Sequence, residues 1–248
     1  MARLPRLCVA GHPHLIVHRS HNRQPFALDD ADRERYLGAL RDAAAAHQVA
    51  LHGYALVDDE VLLLATPAAP DALGRMMQGL GRRYVGAFNR RHGRTGTVWE
   101  GRYRNTLLES GRFLLPCLRH VELAPVRAGL VVEPADYRWS SAAHHLGLRR
   151  DPLVSDHPDF WTLGNTPFER EHAYRILLNA GESEAQRQAV SDAAWKGWVL
   201  GSDAFAVAMA EASGRPARPR PRGRPRRYSG PNLLTNRILA DKKEPDPN

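Results

Sequence analysis

Tyr54-Ala55-Leu56-Val57-Asp58-Asp59-Glu60-Val61-Leu62-Leu63-Leu64 is the stretch from which the fold is read. Two short apolar runs flank a pair of aspartates, a residue type that favours turns and is depleted in strands. The reading is two strands, Val49 to Val57 and Val61 to Thr66, meeting at an acidic turn. Upstream, Asp29-Asp30 precede a helix of about 16 residues from Ala31, with Tyr36, Leu37 and Leu40 at helical spacing. Before it, residues 7–19, through Leu15-Ile16-Val17, form a first strand. Downstream, Pro70-Asp71 open a second helix carrying Leu73, Met76, Met77, Leu80, Tyr84 and Phe88. Gly93 and Gly96 end it, and residues 97–108 supply a fourth strand. Ser110 caps a third helix through Leu123, which stops before Pro125.

The order is β-α-β-β-α-β plus a helix. It predicts an α+β, ferredoxin-like antiparallel sheet with helices on one face, followed by C-terminal helices and a basic tail. Residues 1–145 form the ferredoxin-like domain, 146–212 a helical extension, and 213–248 an Arg/Pro-rich tail that is disordered when free.

The chain has 248 residues, 43% hydrophobic and 25% charged, enough to bury a substantial core. Its formal charge is +8, yet seven arginines (215, 218, 220, 222, 224, 226 and 227) lie between Gly214 and Arg227 with no acid among them. Without them, 28 basic residues face 27 acidic ones. The attraction for polyanions is therefore concentrated in the tail, which points to nucleic acid as partner. Cys8 and Cys117 make no Cys-x-x-Cys pair and fit a reducing compartment. No signal peptide is evident, and no run reaches the roughly 18 apolar residues of a transmembrane helix. The sequence reads as a soluble, cytoplasmic protein that does not enter membranes.

Two blocks carry a resemblance. The quoted stretch 54–64 and the run Arg119-His120-Val121-Glu122-Leu123-Ala124-Pro125-Val126-Arg127-Ala128-Gly129-Leu130 are similar to signature blocks of the REP-associated tyrosine transposases. These belong to the single-strand DNA transposases with a His-hydrophobic-His motif. In that family the first block carries Pro-Asn-His-Val-His-Leu-Leu, and the second reads Arg-Tyr-x-x-x-Asn-Pro-Val-Arg-Ala-Gly. The resemblance covers about residues 1–145 in its main part and implies the same ferredoxin-like fold. It also implies metal-dependent cleavage and rejoining of single-stranded DNA, with two histidines and a third ligand around a divalent ion and a tyrosine attacking the phosphate. Here the two histidine positions hold Glu60 and Leu62, the tyrosine position His120, and the third-ligand position Ala124. Leu62 cannot bind a metal, and Ala124 cannot assist. The expectation is loss of nicking, with no catalytic residues and no cofactor.

The alternative is a metal-dependent nuclease or strand transferase. In it Asp58, Asp59 and Glu60 would hold Mg²⁺ or Mn²⁺, with His120 as nucleophile. Asp-rich turns are commonplace, so these acids read first as a solvated turn. His12-Pro13-His14 has the His-x-His spacing but no third ligand nearby, and His144-His145 carries no more weight.

Retained function is expected where arginines interleave with aromatics. The candidates are Arg82, Arg83, Arg90, Arg91, Arg94, Trp99, Arg102, Tyr103 and Arg104. Guanidinium groups hold phosphates and aromatic faces accept bases, a combination suited to single-stranded DNA. In the tail, Arg222-Gly223-Arg224-Pro225-Arg226 resembles an AT-hook, whose arginines enter narrow A·T minor grooves. The sequence thus predicts a transposase-like DNA-binding protein that recognises single-stranded or hairpin DNA without cutting it.

Overall fold

The computed structural model describes residues 6–218. Strand β1 (His14–Arg19) leads through a single 3-10 turn to helix α1 (Asp30–Ala46), then β2 (Val49–Val57) and β3 (Glu60–Pro67). Helix α2 (Ala72–His92), β4 (Arg104–Leu107) and α3 (Ser110–Glu122) complete the ferredoxin-like order. The sheet runs β2-β3-β1-β4, every neighbouring pair antiparallel. Short helices follow: α4 (Ala124–Arg127), α5 (Ala142–His145) and α6 (Pro158–Trp161). The longer α7 (Pro167–Asn179), α8 (Glu184–Lys196) and α9 (Asp203–Ser213) come last.

The period of two along the strands sorts the core into two layers. Ile16, Tyr54, Leu56, Val61 and Leu63 meet Tyr36, Leu40, Met76, Leu80 and Tyr84 of α1 and α2. Leu15, Val17, Ala55, Val57, Leu62 and Leu64 meet Leu114, Cys117, Leu118 and Val121 of α3, together with Tyr174, Leu178, Val190 and Ala194 of α7 and α8. The helices α1 and α2 share one face, as the sequence reading has it, and α3, α7 and α8, which it did not place, cover the other. The extra layer is built from α3 and the C-terminal helices, whose apolar residues are too sparse to announce a destination.

Several boundaries shift for local reasons. Asp29 caps α1, its carboxylate accepting from the Asp32 amide at 3.0 Å. Gly93 ends α2 in the left-handed region, at φ 61°. Glu109 is the N-cap position of α3 and makes no side-chain cap; Ser110 is the first helical residue rather than the cap. The first strand starts at His14, because Gly11 takes φ 75° and Pro13 offers no amide hydrogen. The fourth strand contracts to Arg104–Leu107. Before it Gly96 takes φ 85°, and the Tyr103 carbonyl accepts from the Arg6 guanidinium instead of a ladder partner.

Gly53 is the point where α3 rests on the sheet. A Cβ there would stand 2.5 Å from Leu118 Cδ1, so only glycine permits this approach. Trp139 closes the other layer: its carbonyl accepts from the Leu56 amide at 2.9 Å and its ring is buried.

Candidate nucleic-acid interface and the transposase-site positions

The acidic turn between β2 and β3 is charge-matched residue by residue. Asp58 pairs with Arg33 of α1 at 2.9 Å, Asp59 with Arg23 at 3.0 Å, and Glu60 with Arg19 of β1 at 3.1 Å. The three carboxylates are drawn to three separate guanidinium groups and do not converge on a common point. Two places on, Leu62 lies opposite Val17 and Ala55 and is 2% exposed, in the layer beneath α3.

His120, near the end of α3, is 7% exposed. Its Nδ1 donates to Glu182 Oε1 at 3.0 Å, and the other oxygen of Glu182 accepts from Arg127 at 2.8 Å. Arg127 Nη2 faces the other ring nitrogen, Nε2, at 3.5 Å. Glu182 stands between α7 and α8. Burial pushes its carboxyl up, but the His120 hydrogen bond and the charges of His120, Arg127 and Arg119 outweigh that and hold it below the usual range. Arg119 binds the Leu177 carbonyl at 3.3 Å and Gln186 at 3.2 Å, and Ala124 is buried. The C-terminal helices thus lie over the very positions where the resemblance locates the transposase site.

Among the described residues, His144, His145 and Asp156 are the His, Cys, Asp or Glu side chains whose ligand atoms all fall within 4.8 Å of one another. Buried Glu122 organises this cluster, accepting from Ser141 at 2.5 Å, His145 Nδ1 at 2.6 Å and Tyr174 at 2.7 Å. Burial pulls the His145 imidazole down, but the Glu122 charge and hydrogen bond outweigh it, and the net shift is upward. The donor set fits a metal poorly. His144 Nδ1 accepts from the Asp151 amide at 3.0 Å, so its Nε2 carries the proton and donates to Asp156 at 3.2 Å. A cation there would need that same nitrogen deprotonated.

The Arg-aromatic stretch divides by environment. Arg82, Arg90, Arg94 and Arg102 are exposed and form no salt bridge among the described residues. Arg83 pairs with Asp42, and Arg91 clamps Asp29 and Asp32 of α1, each at 2.6 Å. Arg91 is therefore a tie between α1 and α2 rather than an open phosphate donor. Trp99 is 6% exposed, stacked at 3.9 Å on His18 and at 5.5 Å on Phe26. Tyr103 is 8% exposed beneath the Arg6 guanidinium, 3.7 Å from its ring centroid. These two rings are core residues whose edges line a cleft of about 410 Å³ with Gln78, Gly81 and Arg102, so they offer no free face for a base. Arg222, Arg224 and Arg226 lie outside the described residues.

Sequence reasoning missed two residues here, Trp195 and Trp198, and counted Arg215 only as part of the tail. Trp195, at the end of α8, packs its ring against Arg19, 3.9 Å from the centroid, with Arg104 at 5.4 Å. Trp198 and Arg215 continue the same wall, beside β4. The signal was available as Trp195-Lys196-Gly197-Trp198, two tryptophans and a cation in a segment otherwise read by composition alone.

No protein-family model matches the chain, and no curated protein matches it. Solved structures do. A REP-associated tyrosine transposase, determined bound to a REP hairpin, superposes with a TM-score of 0.53 at 12% identity, covering 63% of this chain and 92% of its own. A protein from Deinococcus radiodurans R1, described as a transposase, aligns at 21% identity over 44% of this chain and 88% of its own, with a TM-score of 0.34. The first likeness shows that this chain has the fold of a REP-associated tyrosine transposase. Among the described residues no helix is long and apolar enough to cross a membrane.

Proposed function

We propose that the protein binds structured single-stranded DNA, hairpins above all, and does not cut it. The observation that carries this reading is the state of the four transposase-site positions. Glu60 is neutralised by Arg19, Leu62 is in the core, His120 is held between Glu182 and Arg127, and Ala124 is packed. None is free to hold a metal or attack a phosphate, while Arg82, Arg90, Arg94 and Arg102 are exposed without an acidic partner among the described residues. Binding is supported by the shared fold with a transposase that was determined on a hairpin. Phosphate contacts position such a protein on its ligand, and their strength falls with salt.

The alternative, a nuclease using the acidic turn and His120, loses support from the three separate arginine pairs and from the capping of His120 Nε2. The test is competition between a labelled hairpin from the DNA flanking the gene and a scrambled strand of equal length, at physiological salt. The hairpin is expected to bind at least about tenfold tighter, a difference of about 1.4 kcal/mol. Equal affinities with one steep salt slope would reduce the interaction to phosphate attraction and end the hairpin reading.

A further inference from the structure

A cleft of about 180 Å³ opens where α8 and the segment after it lie along β4. Five basic residues line it, Arg6, Arg102, Arg104, Lys196 and Arg215, and no acid does. Lys196 is paired with Asp192 of its own helix at 2.7 Å, but Arg102, Arg104 and Arg215 form no salt bridge among the described residues. This contrasts with the acidic turn nearby, where each charge has its opposite. Like charges brought together in a partly enclosed space repel one another, and the arrangement favours an anion.

The walls are fixed. Gly197 ends α8 in the left-handed region, at φ 67°, and turns the chain alongside β4. The Leu200 amide donates to the Leu107 carbonyl at 2.9 Å, and the Thr106 hydroxyl donates to the Trp198 carbonyl. The Val199 amide donates to the Ala217 carbonyl at 3.0 Å, which holds Arg215 against the cleft. One nitrogen of Arg215 donates to the Gly197 carbonyl at 3.1 Å, but its Nε is buried with no partner. Burial lowers the pKa of this guanidinium, as expected for a cation stripped of water without a carboxylate to replace it.

A second, smaller cleft of about 110 Å³ shares Arg102, Arg104 and Trp195 with the first, reaches Arg19 and His18, and carries one acid, Glu100. Through these shared residues the two clefts adjoin as a groove beside β4. Two tryptophans, Trp195 and Trp198, line the first cleft. A volume of 180 Å³ admits a phosphate and part of its sugar but excludes a duplex.

We infer that this groove grips a phosphate of a single nucleic-acid strand, between Arg104 of the sheet and Arg215 of the C-terminal segment. The inference rests on the nucleic-acid reading above and adds to it that the C-terminal extension is part of the binding site. Arg104 and Arg215 donate to the phosphate oxygens, and Trp195 keeps Arg19 and Arg104 in place by stacking. The chain leaves the groove at Arg218, where the run of alternating arginine and proline begins.

The experiment uses the full chain with a fluorescent hairpin bearing a single-stranded extension, and the same hairpin with blunt ends. Arg104→Gln and Arg215→Gln are compared with Arg104→Lys at matched salt, with circular dichroism and thermal melting confirming the fold. Each glutamine variant is expected to weaken binding of the extended hairpin about tenfold and to lower the salt slope by about one. Arg104→Lys should recover most of the loss in salt slope, and tryptophan emission should change on binding of the extended form. Unchanged affinity and slope in both glutamine variants, with the hairpin still bound by the natural chain, would overturn the groove assignment and leave the hairpin reading standing. No binding of either DNA by the natural chain would overturn both. If inorganic phosphate at millimolar concentration changes the tryptophan emission as fully as the extended hairpin does, and that hairpin binds no tighter than phosphate, the groove is a free-phosphate site and the strand assignment fails.

Discussion

Two charged regions a few residues apart in the fold are built on opposite principles. Around the transposase-site positions the carboxylates are answered: Asp58, Asp59 and Glu60 by three arginines, and Glu182 by His120 and Arg127. Along β4 and α8 five cations gather with no acid in the lining. The Glu182 group serves cohesion, because breaking it leaves buried partners alone. Of the groove cations, Arg102, Arg104 and Arg215 form no salt bridge among the described residues and are open to a counter-charge from outside. The contrast sets the proposed binding groove apart from the positions that the resemblance marks for cleavage.

The largest effect is expected in the matched region. Glu182→Gln removes the carboxylate shared by His120 and Arg127 and should cost about 3 kcal/mol in urea denaturation, near the lower end for a broken buried pair because Arg127 keeps some solvent. A loss below about 0.5 kcal/mol would mean the region is not the tie it is drawn as.

Leu62→His comes next. It places an imidazole among Val17, Ala55 and Leu64 with no polar partner, at a cost of about 1–3 kcal/mol. The family residue is thus destabilising in this chain, and a variant no less stable than the natural protein would show that the second layer is looser than described.

Acid stability sharpens the contrast further. Burial lowers His14, His18 and His52 to about 4 each, so all three are neutral in the folded protein at pH 7. The unfolded chain binds these protons from about pH 6.5 downward. Stability should therefore fall as pH drops from about 6.5 toward 4, with uptake of up to three protons on unfolding. Glu182 adds in the same direction, since its depressed carboxyl contributes stability above the ordinary glutamate value that is lost as pH falls through the folded one. Flat stability between pH 7 and 5 would contradict this burial.

The smallest effect belongs to the open cations. Arg82→Ala and Arg90→Ala should leave stability within about 0.5 kcal/mol and lower the salt slope of DNA binding by about one each.

Much of the fold was legible in the sequence, because two apolar runs about an Asp-Asp turn in 54–64 and helical spacing over 73–88 are local patterns. Gly93 could be read as a helix end for the same reason. The destination of α7 and α8 could not, since Tyr174, Leu178, Val190 and Ala194 are four buried residues spread over two mostly exposed helices. The transposase-site substitutions were visible, but what answers their charges was not, because Glu182 lies 62 residues beyond His120. Arg91 and Trp99 show the converse limit. An arginine or tryptophan beside other basic residues looks the same in sequence whether it faces a ligand or an aspartate pair on α1.

The most direct test of the central claim is a denaturing gel. End-labelled hairpin DNA from the region flanking the gene is incubated with the natural protein in Mg²⁺ or Mn²⁺, beside a revertant carrying Glu60→His, Leu62→His, His120→Tyr and Ala124→Asn. The account predicts that the natural protein retains the hairpin on a native gel yet leaves the label at full length and unattached to protein. Cut or covalently attached label with the natural protein, abolished by His120→Ala, would contradict it.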